Sequence, residues 1–208
     1  NTFNMTDMDK WKLITVFIGA NDLCGVCNSN EFRPDLFKSN LKTALTELKY
    51  SFPKSFVNLA LIFNVSHIYQ LSQKSKYCTV LHNIFPMECS CAFNKRNGEK
   101  NRKIMDYNTK IYQRIMYDVA HEVNTERFDN FTVVIQPMFA KANISKITVD
   151  FISTLDCFHP SLIAHQSMAI SLWNNMFRHP INKEPLIEYP TLFCPKNDSI
   201  LYSNYQIS

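Results

Sequence analysis

Three nearly continuous apolar runs constrain the fold of this chain more than any other feature. They are residues 11–18 (WKLITVFI), 55–63 (SFVNLALIF) and 131–137 (FTVVIQP). Short apolar runs of this kind are typical of strands buried on both faces of a parallel sheet. Helical spacing of apolar residues follows each run, at residues 34–49, 104–123 and 160–176. The alternation predicts an α/β fold with a parallel sheet, in which functional residues gather at the carboxyl ends of the strands.

Two long segments lack such periodicity. Residues 75–103 are rich in cysteine and basic side chains, and we interpret them as an insertion pinned by disulfides. Residues 177–208 contain four prolines, which predict an irregular tail, and residues 147–152 predict a short extended piece. With 208 residues, 46% of them hydrophobic and 19% charged, the chain has the composition of one globular domain.

The charge pattern restricts the partners. The net charge of +4 is mild, and the basic residues of NKRNGEKNRK (94–103) cluster in one predicted loop. A solvated loop explains this cluster better than contact with an anionic surface does. The cluster has no interleaved aromatic side chains on which bases could stack, which argues against nucleic-acid binding. No run approaches the roughly 18 apolar residues of a transmembrane helix.

Seven cysteines leave two interpretations open, a zinc site or disulfides. Cys24 with Cys27 and Cys89 with Cys91 form close pairs, but the second spacing is too short for a usual zinc hook. Five glycosylation sequons, a modest excess over chance, favour disulfides in an oxidising secretory compartment over a metal. The sequon asparagines are Asn4, Asn64, Asn130, Asn143 and Asn197. Because seven is odd, we expect one thiol to be free or to pair outside the chain.

The first apolar run ends in the sequence GAND, residues 19–22. An amide held at the end of a buried strand, here that of Asn21, can donate a hydrogen bond to the oxyanion of acyl transfer. Gly19 allows the backbone to turn closely at this point. Asn and Asp also favour turns, and the local pattern alone favours that interpretation, in which Asn21 and Asp22 cap a turn.

Two Asp-x-x-His pairs occur in the chain. Asp156 and His159 lie in a predicted loop after the third strand, at the functional edge of the sheet. Their spacing puts both side chains on one face, so the carboxylate can fix the imidazole tautomer and leave the second nitrogen free as a base. Asp118 and His121 lie on the polar face of a predicted helix, and we interpret them as solvated surface. The remaining histidines are assigned structural or surface roles: His67, His82, His165 and His179.

Three segments together carry a resemblance to a known family. They are WKLITVFIGANDLCGVC (11–27), DCFHPS (156–161) and SLWNNM (171–176). They resemble the GDSL, or SGNH, hydrolases, and most closely the animal phospholipase B-type lipases of that superfamily. The resemblance implies a flavodoxin-like, three-layer α/β fold with a parallel sheet. It also implies site roles: an oxyanion or substrate-binding role for Asn21 and Gly19, and acid and base roles for Asp156 and His159.

The chain departs from this family at the nucleophile. The family's serine lies in a Gly-Asp-Ser motif on its first strand, and a further oxyanion glycine follows its second strand. None of the three glycines here precedes a serine within two residues, and Ser153, Ser161 and Ser167 would need a geometry unlike the family's. We therefore interpret residues 1–208 as the carboxyl-terminal portion of a single SGNH-hydrolase domain, with an incomplete sheet that lacks the first two strands. The run at 11–18 should then show a bare edge and an uncovered apolar face.

The resulting expectation is a secreted serine-type lipase or phospholipase that needs no metal or other cofactor. Its substrates would be phospholipids or other acyl esters, with a lipid surface as a further partner. An amino-terminal fragment of the same precursor would supply the serine, either as a separate cleaved chain or as a part left out of this sequence. The alternative is a catalytically inactive relative that acts as a lipid-binding or protein-interaction module, and a zinc-binding module is the weakest interpretation.

Overall fold

A parallel sheet of three strands forms the centre of the molecule. The computed structural model describes residues 8–85, 88–125 and 129–203. The strands, in the spatial order β1–β2–β3, are Lys12–Val16 (β1), Ser55–Ala60 (β2) and Phe131–Gln136 (β3). The α-helices of the described residues are Ala20–Gly25 (α1), Pro34–Ser51 (α2), His67–Ser72 (α3), Lys76–Ile84 (α4), Ser90–Phe93 (α5), Gly98–Thr125 (α6) and Leu162–Met176 (α7). Short 3₁₀ turns span Asn30–Phe32, Ile144–Lys146, Val149–Phe151 and Pro180–Asn182.

All three strands run in one direction, which confirms the predicted α/β class. Lys12 of β1 pairs with Ser55 of β2, and Ser55 in turn pairs with Phe131 of β3. Helix α2 connects β1 to β2, and α6 is the last helix before β3, so each parallel connection contains a long helix, as this topology requires. Each strand ends one to three residues before its predicted boundary, and α6 begins six residues before its predicted start.

The prediction that the first strand is buried on both faces is wrong for this chain. Leu13 is 51% exposed and Thr15 is also exposed, while Lys12, Ile14 and Val16 are partly buried. The reason is that β1 lies at one edge of the sheet and pairs only with β2 among the described residues. In contrast, all six residues of β2 are buried. The predicted bare edge with an uncovered apolar face is therefore present, and the sheet is incomplete relative to a whole domain of this fold.

Helices cover both faces of the sheet, which gives the predicted three layers. Side chains alternate between the faces along each strand. Val57 and Val133 belong to the main core, with Leu41 and Leu45 of α2 and Met116 and Val119 of α6. On the opposite face, Asn58 of β2 donates a hydrogen bond to the sulfur of Met176 at the end of α7, at 3.2 Å. Ala60 packs there in a second cluster with Leu172 of α7.

Residues 75–103 are mostly helical, in contrast to the unpatterned insertion that we expected. The helices α4 and α5 and the first turns of α6 lie in this segment. The helical pattern of α4 is hidden in the sequence because its buried residues, Cys78 and His82, are not obviously apolar. The piece at 147–152 is likewise a 3₁₀ turn, followed by a single bridge between Ile152 and Pro160.

Six of the seven cysteines form disulfides, as the sequence predicted. The bonds are Cys24–Cys89, Cys27–Cys91 and Cys78–Cys157. The two close pairs that could have been zinc ligands are thus bonded to each other, and Cys194 is an exposed free thiol. The first bond joins α1 to the residue before α5, the second joins Cys27, two residues beyond α1, to α5, and the third joins α4 to the loop after β3.

The tail is anchored at its beginning by one buried lysine. Lys183 is only 4% exposed, and its ammonium group donates to the side-chain oxygen of Gln136 at 3.0 Å and to the carbonyl of Asn175 at 2.7 Å. Gln136, the last residue of β3, donates in turn to the Asn58 side chain at 2.7 Å. Burial lowers the pKa of Lys183 to about 8. Beyond the turn at Pro180–Asn182 the tail has no helix or strand up to residue 203, where the description ends.

The longest helix, α6, has 28 residues and is amphipathic. Its buried positions recur at helical spacing, as at Met105, Tyr112, Met116 and Val119, while charged residues occupy the opposite face. Among the residues that the structure describes, no helix combines the length and the apolar character needed to cross a membrane.

Candidate active site

The GAND sequence forms the junction between β1 and α1. The strand ends at Val16, so Asn21 lies in the first turn of α1 rather than at the tip of the strand itself. Gly19 precedes the helix with a φ of 102°, a left-handed conformation that favours glycine. A Cβ atom on Gly19 would lie 2.4 Å from the Cδ1 atom of Ile62, so the position also has no room for a side chain.

The side chain of Asn21 is available for a ligand. It is exposed, and it makes no hydrogen bond to another residue in the described ranges. The helix has no side-chain cap, and Gly19 occupies the cap position, so Asn21 does not act as the turn cap of the alternative interpretation. Leu23 is fully buried and fixes the helix against the core. An amide in this position can donate to a ligand at the carboxyl edge of the sheet.

Asp156 and His159 are in direct contact. The Nδ1 atom of His159 lies 2.8 Å from the Oδ2 atom of Asp156. Because a carboxylate only accepts, Nδ1 carries the proton and Nε2 is left with its lone pair. The side chain of His159 is 56% exposed and that of Asp156 is 25% exposed. The pair therefore has the geometry of a general base with its orienting carboxylate.

The second carboxylate oxygen of Asp156 holds the loop. Oδ1 accepts from the backbone N–H groups of Phe158 at 2.9 Å and His159 at 3.0 Å. Burial alone raises the pKa of Asp156, but the N–H of Phe158, the imidazole and the N–H of His159 together outweigh it. The pKa of Asp156 consequently lies below its usual value, and the carboxyl group stays ionised.

Two contacts from α4 anchor this loop. Cys157, which has a positive φ of 55°, is disulfide-bonded to Cys78. The Nε2 atom of His82 lies 2.9 Å from the carbonyl oxygen of Asp156 and must be the donor, because a carbonyl only accepts. His82 is 5% exposed, and its Nδ1 atom is buried with no hydrogen-bond partner in the described part of the protein. Sequence reasoning missed His82, because its partner is a backbone carbonyl 74 residues away.

The candidate site has two sides, Asn21 on α1 and the Asp156–His159 pair on the loop after β3. They are joined through α5 rather than by direct contact. No hydrogen bond in the described ranges connects Asn21 to Asp156 or His159. However, Cys24 of α1 and Cys27, two residues beyond the helix, are disulfide-bonded to Cys89 and Cys91. Phe93 at the end of α5 packs against His82, with ring centroids 3.8 Å apart. Phe93 also contacts Phe158 edge-on at 6.3 Å. A continuous set of contacts thus runs from one side of the carboxyl edge to the other.

The serines near the loop have other roles. The hydroxyl of Ser153 accepts from the N–H of Leu155 at 3.1 Å, and that of Ser161 caps α7 through the N–H of Ala164 at 3.2 Å. Ser167 is 2% exposed within α7. Within the described residues, no serine hydroxyl is hydrogen-bonded to His159.

The second Asp-x-x-His pair is exposed, and the sequon asparagines differ in their exposure. Asp118 and His121 lie on the exposed face of α6, as we expected of solvated surface. Asn143 and Asn197 are exposed, while Asn64 and Asn130 are partly buried. Asn4 lies outside the described residues. Glycosylation at these sites stays a prediction.

Comparison with known proteins decides the family. The chain matches the GDSL-like lipase/acylhydrolase family over residues 2–172. This chain belongs to the GDSL-like lipase/acylhydrolase family. It is 32% identical to mouse membrane-associated phospholipase B1 over 174 residues, which is 81% of this chain and 12% of the mouse protein. The rat protein of that name is 32% identical over 210 residues, 92% of this chain and 14% of its own length, and the human protein is 32% identical over 176 residues, 81% and 12%.

Membership of the GDSL-like family supports hydrolysis of the lipase or esterase type. The chain spans only 12–14% of the length of these phospholipase B1 relatives, so it corresponds to a small part of each. No solved structure matches the chain.

Proposed function

We propose that this chain is part of a carboxylic ester hydrolase of the phospholipase B, lysophospholipase or lipase type that works by a Ser-His-Asp mechanism. The observation that carries the proposal is the Asp156–His159 pair. Its 2.8 Å hydrogen bond leaves His159 Nε2 as a base, and backbone N–H groups keep Asp156 ionised. The substrate class is that of the relatives, phospholipids and other acyl esters.

In this mechanism His159 moves one proton at a time. Its Nε2 atom takes the proton of a serine hydroxyl while the serine oxygen attacks the ester carbonyl. Asp156 stabilises the imidazolium, and the side chain of Asn21 donates to the oxyanion. His159 then returns the proton to the departing alcohol. A water molecule repeats the two steps and releases the fatty acid.

We place the serine outside these 208 residues, on an amino-terminal segment of the same precursor. Ser153 and Ser161 are occupied in a turn and a helix cap, and Ser167 is buried, so none is suited to the role. The exposed edge and outer face of β1, with Trp11 62% and Leu13 51% exposed, offer that segment a strand to pair with. Three disulfides and five sequons fit a secreted protein or the extracellular face of a membrane.

The test uses the complete protein, a soluble short-chain ester and a fluorophosphonate probe for active serines. His159→Ala should lower kcat/KM by at least about 10³-fold, since it removes the general base, without changing the melting temperature. The matched control is His121→Ala, from the second Asp-x-x-His pair, which should retain full activity. Peptide mapping should place the labelled serine outside residues 1–208. Equal activity of the two variants, or a label on a serine of this chain, would contradict the proposal.

A further inference from the structure

Helix α4 presents large apolar side chains to solvent along one face. Tyr77, Val80 and Ile84 follow helical spacing and are 56%, 57% and 62% exposed, and Phe85 just beyond the helix is 58% exposed. Apolar side chains that recur on an exposed helix face mark an interaction surface rather than scattered surface residues. We call these four residues the α4 stripe.

The α4 stripe lies on the helix that holds the candidate catalytic loop. The opposite face of α4 carries Cys78, bonded to Cys157, and His82, which donates to the carbonyl of Asp156. The same loop exposes Leu155, the neighbour of Asp156, to 87%. One helix therefore binds the loop with its inner face and presents an apolar outer face to the solvent, and the loop itself exposes one further apolar side chain.

Two lysines flank the α4 stripe, in a segment of the chain that is rich in basic residues. Residues 75–103 contain six lysines and arginines against two glutamates. Lys76 is exposed in the first turn of α4, and the ammonium group of Lys95 donates to the carbonyl of Asn83 at 2.7 Å, near the end of the helix. Apolar side chains flanked by cations match a phospholipid surface, in which anionic phosphates lie just outside the acyl chains.

We propose that the α4 stripe and Leu155 dock the protein on a phospholipid surface. The apolar side chains enter the boundary between headgroups and acyl chains, and Lys76 and Lys95 contact lipid phosphates. The inference rests on the proposed function, because a lipid surface bound at α4 would supply substrate next to the helix that anchors the His159 loop. A lipid surface is favoured over a protein partner because the combination of apolar stripe and basic flanks complements it without a specific shape.

The experiment compares two substrates for the complete protein. Vesicles of phosphatidylcholine with phosphatidylglycerol report docking, and a soluble short-chain ester reports chemistry alone. The double variant Val80→Asp/Ile84→Asp should retain its rate on the soluble ester and lose about tenfold or more of its rate and binding on vesicles, because two side chains no longer bury apolar area. Ile181→Asp, at a position that is 80% exposed in the turn Pro180–Asn182, is the matched control and should keep both rates.

The two hypotheses fail in different ways. If the wild-type protein does not hydrolyse the soluble ester, the proposed function is wrong. If the double variant keeps its full activity and binding on vesicles, the docking surface is wrong and α4 faces another partner. Should the double variant not fold, Tyr77→Trp replaces it: the added indole should shift its emission to shorter wavelength when vesicles are added, and an unchanged spectrum overturns the docking proposal.

Discussion

The Asn21 side and the His159 side of the candidate active site are held in place by different means. Asn21 lies in a helix, α1, which the buried Leu23 and the disulfide of Cys24 fix to the rest of the protein, and a second disulfide holds Cys27 just beyond the helix. His159 lies in an irregular loop that depends on one disulfide and a few individual hydrogen bonds. A helix can lose one restraint and keep its shape, while an irregular loop has little regular hydrogen bonding to preserve it.

The largest effect that separates the two sides should come from their disulfides. Replacing both cysteines of Cys78–Cys157 by alanine should lower kcat/KM of the complete protein by about 10²-fold, because the loop that carries His159 is displaced. Replacing both cysteines of Cys27–Cys91 should leave kcat/KM within a few-fold, since Cys24–Cys89 still holds α1. The measurements are ester hydrolysis and thermal unfolding of both double variants.

The two double variants should lose similar amounts of stability. The bonds close loops of similar length, with sequence separations of 79 and 64 residues. The chain-entropy model therefore gives both losses a similar size, about 4–5 kcal/mol. A parallel fall in activity for both pairs would show that disulfide loss acts through global stability and not through the loop.

The Asn21 side should instead be most sensitive at its backbone turn. Gly19→Ala puts a side chain on a residue with a φ of 102° and within 2.4 Å of Ile62, so we expect it to lower the free energy of unfolding by about 1–3 kcal/mol. In Gly98→Ala the closest atom is the flexible end of Arg102, and the change should stay within about 1 kcal/mol. Chemical denaturation measures the free energy of unfolding of both variants. Equal losses would contradict a special requirement for glycine at the turn before α1.

The sequence predicted the parts of this structure that depend on local patterns. The parallel strands, the long helices, the disulfides and the contact partners Asp156 and His159 could be inferred, since apolar periodicity and short spacings carry that information. The exposure of β1 depends on its neighbour in the sheet rather than on its own residues, so its apolar run indicated burial on both faces.

The remaining differences between the prediction and the structure involve contacts between residues that are far apart along the chain. The buried face of α4 contains Cys78, which is bonded to a residue 79 positions away. His82, on the same face, donates to a carbonyl 74 positions away. The sequence around α4 contains no pattern that indicates either partner. Only the folded structure therefore shows that residues 75–103 contact both the Asn21 side and the His159 side of the candidate site.

The smallest of the three effects should distinguish His82 as a positioning residue for the His159 loop. His82→Leu removes the donor to the carbonyl of Asp156, which costs about 1–2 kcal/mol, and kcat should fall about tenfold with little change in KM. His82→Gln places an amide N–H near the position of Nε2 and should restore most of kcat. The pH profile of kcat is the additional readout, because a loop that holds Asp156 loosely also weakens the hydrogen bond between that carboxylate and the imidazole that acts as the base. If His82→Leu and His82→Gln lose stability and activity equally and the pH profile stays unchanged, His82 contributes only to the core and is not a positioning residue for the His159 loop.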